Sequence, residues 1–186
     1  MRDNPMNSID ESLPFVPVAI AVMTVSDSRT LENDASGDIL VDRLTKAGHI
    51  LADRTLVEDD QNVITAQLKT WIADPKIDVV IATGGTGLTG RDVTAEAFHS
   101  VFDKEMEGFS TLFHQISFEK IGTSTIQSRA TAGVAGGTYL FALPGSPGAC
   151  KDGWDGILQS QLDSRHRPCN FVEIMPRLQE HLVKKS

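Results

Sequence analysis

The sequence predicts an α/β fold, with a mostly parallel sheet covered by helices on both faces. Three observations predict it. Continuous apolar runs over residues 18–25 (VAIAVMTV) and 138–143 (TYLFAL), with a third at Ile77, Val79, Val80 and Ile81, read as strands buried on both sides. Between them, apolar residues recur at helical spacing over stretches of about ten to fifteen residues, the alternation expected of βαβ units. Each strand then empties into a polar or glycine-rich loop, and right-handed crossovers collect such loops along one edge of the sheet.

The elements follow in order. Residues 1–15, with Asp3, Asn4, Pro5, Asp10, Glu11 and Pro14, lack the apolar core of a signal peptide and are expected to form a loosely ordered arm. One domain spans 16–170, long enough to bury a substantial core. Strand 18–25 opens onto Ser26, Asp27, Ser28 and Arg29, then a polar loop through Asn33, Asp34, Ser36 and Gly37. Ile39, Leu40, Leu44 and Ala47 make a helical stripe, and Gly48 sits where a C-cap belongs. A strand over 50–57 ends at Glu58, Asp59 and Asp60. Ile64, Leu68, Trp71 and Ile72 form a helix that Asp74 and Pro75 stop. After the strand at 77–83, Ala97, Phe98, Val101 and Phe102 suggest one helix, and Phe109, Leu112, Phe113 and Ile116 another, with Gly108 dividing them. Gly136 and Gly137 mark a turn before strand 138–143. Residues 144–148 (PGSPG) precede a helix carrying Trp154, Ile157, Leu158 and Leu162. Residues 171–186 form a tail or short helix interrupted near Pro176.

Composition narrows the function. Seventeen basic residues against 25 acidic ones give a net charge of −8, which excludes a general nucleic-acid-binding surface. An anionic ligand must therefore be held locally. Cys150 and Cys169 match no zinc spacing and no disulfide framework, and read as free thiols in a reducing cytoplasm. No run approaches the roughly 18 apolar residues of a spanning helix. A soluble, cytoplasmic protein is expected, with no membrane partner.

Residues 77–92 carry the chemistry. Here the strand breaks at Thr83 into Gly84, Gly85, Thr86, Gly87 and Gly90, and ends on Arg91 and Asp92. Glycines let bare backbone amides approach an anion at the end of a sheet, where open α/β folds bind ligands. Residues 85–90 match G-x-G-x-x-G, but the third glycine runs into Arg91–Asp92 rather than into a helix, and no strand follows, which disfavours a dinucleotide site. No Gly-Lys-Ser/Thr follows, so a Walker A loop is excluded. Asp92 or Thr94 could simply cap the next helix, and Asp59 and Asp60 could be a solvated turn. Both acids nevertheless fall on the glycine-rich edge, and magnesium is held by one or two carboxylates plus substrate phosphates. The five histidines (49, 99, 114, 166, 181) show no metal-ligand spacing, and Ser26 and Ser146 lack a nucleophile elbow. No base stands beside the glycines. A nucleophile that is already an anionic phosphate needs none, only alignment and charge neutralisation.

Thr83-Gly84-Gly85-Thr86-Gly87, Arg91-Asp92-Val93-Thr94 and Glu96-Ala97 together resemble the signature of the MoaB/MogA family of molybdenum-cofactor biosynthesis proteins. The resemblance extends to Ser26-Asp27, to Val57 and Asp59, and to Leu143-Pro144-Gly145 with Pro147, covering roughly residues 16–170. Residues 121–125 and 167–171 look like the MoaB branch. The resemblance implies a three-layer α/β/α fold, a homotrimer or hexamer, and Mg-ATP-dependent adenylylation of molybdopterin with release of pyrophosphate. It makes Asp59 and Asp92 the catalytic and magnesium-binding pair. It assigns phosphates to Thr83, Gly84, Gly85, Thr86, Gly87, Arg91 and Thr94, and the pocket border to Ser26, Asp27, Pro144, Gly145, Ser146, Pro147 and Gly148. Implied partners are molybdopterin, ATP, copies of the chain and other proteins of the pathway. The alternative is a molybdopterin-binding or assembly protein on the same scaffold that does not catalyse the reaction.

Overall fold

The computed structural model describes residues 8–182. A short strand β1 (Ser8–Ile9) leads to β2 (Ala19–Val25), helix α1 (Ala35–Lys46), β3 (Ile50–Val57), α2 (Gln61–Ile72), β4 (Val79–Thr83) and α3 (Thr94–His99). Then come β5 (Lys104–Glu105), α4 (Glu107–Ile121), β6 (Thr131–Ala135), β7 (Thr138–Leu143), α5 (Pro147–Gly153) and β8 (His166–Arg167). Helix α5 continues through a wide turn at Trp154–Leu158 into Gln159–Gln161.

Six strands form the central sheet in the order β3-β2-β4-β7-β6-β5. The first four are parallel; β6 pairs antiparallel with β7, and β5 antiparallel with β6. Because side chains alternate along a strand, each central strand feeds two cores. Ile20, Val22, Val79, Ile81, Tyr139 and Phe141 point to one face, where Leu40 and Leu44 of α1, Phe109 and Phe113 of α4, and Trp154 cover them. Ala21, Met23, Val80, Ala82 and Leu140 point to the other, under Ile64, Leu68 and Trp71 of α2 and Phe98 of α3. The result is the three-layer α/β/α arrangement expected. Among the described residues no helix is long and apolar enough to cross a membrane.

Three features differ from the expectations. Gly108 does not divide two helices; it lies in the first turn of α4, and the break before it is β5. Strand β6 is an addition, short and carrying Gly133, whose missing side chain leaves room for the Phe102 ring. The arm expected to be loose is tied down from Ser8 onward. Strand β1 pairs with β8, the Val16 amide donates to Ser164 Oγ at 2.9 Å, and Phe15 packs on His49 at 5.2 Å between ring centroids. Residues 1–7 of that arm, and 183–186 of the tail, lie outside the described residues. Within the tail, a short helix at Phe171–Ile174 gives way to a tighter turn at Met175–Arg177, which contains Pro176.

Candidate functional site

Strands β2, β3, β4 and β7 end together, so the loops after them meet at one edge. Glycine makes the meeting possible at two positions. Gly84 has φ +104 and lies so close to the Val25 carbonyl that a methyl group there would overlap it; its amide donates to Leu143 O at 3.1 Å. Gly85 has φ +63, and a methyl group there would overlap Thr94 Oγ1 and come within 3.0 Å of Asp59 Oδ1. Residues free of a Cβ are therefore required where the loop crosses β2 and touches the acids.

Asp59 and Asp27 brace each other. The Asp27 amide donates to Asp59 Oδ2 at 3.1 Å, and the Asp59 amide returns a bond to Asp27 Oδ1 at 3.1 Å. Arg91 pairs with the Asp27 carboxylate. Asp60 has a different task and caps α2, accepting from the Asn62 and Val63 amides at 2.8 and 3.1 Å. Burial, together with the negative charges of Asp27 and Asp92, pushes the Asp59 carboxyl above its ordinary range.

The capping alternative for Asp92 does not hold. Val93 occupies the cap position of α3, with no side-chain cap among the described residues. Asp92 instead closes the glycine loop, accepting the Thr89 amide at 2.8 Å and the Thr89 hydroxyl at 2.6 Å. Burial opposes its charge, but the Thr89 and Gly87 donors outweigh that and hold Asp92 below the usual carboxylate range. A methyl group on Gly87 would stand 2.7 Å from Asp92 Oδ2, so this acid abuts the loop as Asp59 abuts Gly85. The Thr94 hydroxyl is buried close to Gly85 and finds no partner among the described residues.

The other expected residues divide by role. Thr83 is wholly buried, and its hydroxyl bonds inward to Pro144 O at 2.9 Å and to Cys150 Sγ at 3.1 Å. Ser26 Oγ accepts from the Ser28 and Arg29 amides, both at 3.2 Å, and so shapes the turn after β2. Gly145 packs against Gly84, where a methyl group would stand 3.2 Å from its Cα. The Gly145 carbonyl accepts from Arg29 at 2.9 Å and from Ser36 at 2.8 Å. Ser146 caps α5, Pro147 is its first residue, and Gly148 lies open beside it. Gly90 likewise has open space around it.

Arg29 is itself oriented by Asp34, a fully buried carboxylate that also accepts from Thr24 at 2.6 Å and from Arg54 at 3.0 Å. Arg129 lies in no recognisable sequence motif, yet it reaches the loop. Its amide donates to Thr86 O at 2.8 Å, its guanidinium to Gly87 O and Asp92 O, both at 2.7 Å, and it pairs with Glu96. The missed signal was topological. Arg129 precedes β6, and only an antiparallel β6 starts at the edge where the parallel strands finish.

Among the described residues no three His, Cys, Asp or Glu side chains converge as a metal cage. Two carboxylates beside the glycine-loop amides instead fit a hard divalent ion that completes its shell with phosphate oxygens and water.

The chain is similar to known proteins over most of its length. Residues 21–164 match the family model described as "Probable molybdopterin binding domain". The chain is 50% identical over 160 residues to molybdenum cofactor biosynthesis protein B of Escherichia coli K12, covering 86% of this chain and 94% of that protein. A crystal structure of molybdenum cofactor biosynthesis protein B superposes with a TM-score of 0.80 at 36% identity, covering 89% of this chain and 98% of the other. A MogA structure superposes with a TM-score of 0.69 at 25% identity, covering 89% and 99%.

Proposed function

The chain belongs to the molybdopterin-binding family that includes the MoaB and MogA proteins of molybdenum-cofactor biosynthesis, and from that premise we propose that it adenylylates molybdopterin with Mg-ATP. The observation that carries the proposal is the contact of two carboxylates with one glycine loop, Asp59 against Gly85 and Asp92 against Gly87, at the open edge of the sheet.

In the proposed reaction an oxygen of molybdopterin's terminal phosphate attacks the α-phosphorus of ATP. A new P–O bond forms, the α–β bridging P–O bond breaks, and pyrophosphate leaves with its electron pair. The attacking oxygen already carries negative charge, so no side chain need remove a proton. The amides of Gly85 and Thr86 and the Thr86 hydroxyl bind the phosphates and hold attacking and leaving oxygens in line. Asp59 and Asp92 would hold magnesium, which supplies positive charge to neutralise the phosphates. Asp27, braced on Asp59, holds Arg91 at the rim, where its guanidinium can meet a phosphate. The turn at Ser26 and the 144–148 loop border the bound molecules. The proposed homo-oligomer has an apolar surface to use, since Leu112, Phe118, Ile121 and Ile126 stand exposed on and beside α4.

Pyrophosphate release from Mg-ATP, with and without molybdopterin, tests the proposal alongside Asp92→Asn. Release should depend on molybdopterin, and the variant should lose at least about 100-fold in turnover, the scale of removing one preorganised electrostatic group. Molybdopterin binding without any release would assign the chain to the non-catalytic class. Full turnover by a folded Asp92→Asn would remove the role given to that acid.

A further inference from the structure

We propose that Arg129 is a positioning residue for the phosphate site, holding the glycine loop in register with Asp92. The inference rests on the phosphate-binding reading above and adds a residue to it.

The geometry is that of a clamp applied from outside the loop. Arg129 engages three loop carbonyls: Thr86 O through its amide, and Gly87 O and Asp92 O through its guanidinium. In a trans peptide the carbonyl and the following N–H point in opposite directions. Turning the Thr86, Gly87 and Asp92 carbonyls toward Arg129 therefore turns the amides of Gly87, Leu88 and Val93 away from it. The Gly87 amide shows the outcome, because it faces the Asp92 carboxylate, the acid that the reading above places on magnesium. A loop rich in glycine has many backbone conformations of similar energy, and its peptides could flip unless something holds them. Arg129 is suited to that task. Its planar guanidinium offers several donors in a fixed fork, so one side chain can restrain two carbonyls at once. Glu96, on α3, takes another of those donors and keeps the fork in register. The position of Arg129 is itself secured by β6, whose first residue pairs with Ala142 in the centre of the sheet.

A lysine at this position keeps the charge but loses the fork, so charge and orientation can be separated. The probe is inorganic pyrophosphate with excess magnesium, titrated calorimetrically into the wild-type chain, Arg129→Ala, Arg129→Lys and Glu96→Gln, with thermal unfolding of each recorded in parallel. Arg129→Ala should weaken the dissociation constant by about 30- to 100-fold, the scale of losing preorganised donors at an anion. Arg129→Lys should recover only a small part of that loss. Glu96→Gln leaves the backbone anchors in place; it should weaken binding by a few fold with little change in melting temperature, and it serves if Arg129→Ala does not fold. Wild-type affinity in folded Arg129→Ala, or in both Arg129→Lys and Glu96→Gln, would overturn the assignment while leaving the phosphate site intact. Failure of the wild-type chain to bind pyrophosphate at all would overturn the phosphate reading itself, and this inference with it.

Discussion

Gly85→Ala is the sharpest test of how the site is assembled, because two separate penalties can be read from the structure. The backbone penalty comes from φ +63, a left-handed conformation that costs an L-residue with a side chain about 1–2 kcal/mol. The packing penalty comes from the new methyl group, which overlaps the buried Thr94 Oγ1 and presses on Asp59 Oδ1 at 3.0 Å. Overpacking of this kind typically costs about 1–3 kcal/mol. Together they place the loss of folding stability near 2–5 kcal/mol, measurable by urea denaturation at constant slope. The two parts separate in a double-mutant cycle with Thr94. Thr94→Ala removes the overlapping oxygen, a buried hydroxyl with no partner, so by itself it should cost little. In the Gly85→Ala background it should recover about 1–2 kcal/mol, leaving the backbone penalty behind. Thr94→Val offers a control, since its second methyl occupies the place of the oxygen and relieves nothing. Strict additivity of Gly85→Ala with Thr94→Ala, or equal rescue by Thr94→Val, would refute the claim that Gly85 is required by contact with Thr94.

Two further predictions concern pH and metal. His49 is buried between Phe15 and Trp154, and burial lowers its pKa below the ordinary 6.5, although the charge of Asp163 acts the other way. The folded chain thus binds fewer protons than the unfolded one. The stability His49 contributes should be complete above about pH 6.5 and fall as the pH drops through its lower folded value, and His49→Gln should flatten that slope in urea midpoints measured from pH 5 to 8. Removing magnesium with a chelator should weaken pyrophosphate binding by at least about tenfold, because the edge presents carboxylates beside its amides; equal affinity with and without the ion would contradict the metal role of Asp59 and Asp92.

Much of the fold was legible in the sequence because its central strands are buried on both faces. A strand covered on both sides is apolar at nearly every position, and 18–25 and 138–143 announce themselves in that way. The helices were readable for the complementary reason, since only one stripe of each meets the sheet. What escaped was short or atypical. Strand β5 has two residues, and β6 (TAGVA) holds only one large apolar residue in a pattern that glycine interrupts. Missing β6 also concealed Arg129, whose place at the site depends on the antiparallel direction of that strand. At the site, the glycines and acids stood out by type, but type did not reveal direction. Thr83 turns inward to Pro144 and Cys150, Ser146 caps a helix, and Asp60 caps another while its neighbour Asp59 faces the loop. Such choices are decided by hydrogen bonds between segments far apart in sequence.

The electrostatics of Asp59 and Asp92 bear on how two acids would serve the proposed phosphate site. An amide-lined loop attracts anions, and carboxylates beside it repel them, so the pair is intelligible only if positive charge intervenes. The chain as a whole supplies none to spare, at a net charge of −8, and Arg91 and Arg129 are both paired with acids. The two carboxyls also differ. Asp92 is held in its charged form by the Thr89 and Gly87 donors, and its geometry is complete before any ligand arrives. Asp59 is half-buried among like charges, and that burial and those charges raise its carboxyl above the ordinary range. A cation held between them would offset the like charges around Asp59, while Asp92, fixed by Thr89, would set where that cation sits relative to the loop. This asymmetry accounts for the bracing of Asp59 by Asp27. Those two reciprocal bonds hold the Asp59 carboxylate beside the loop despite the like charges around it.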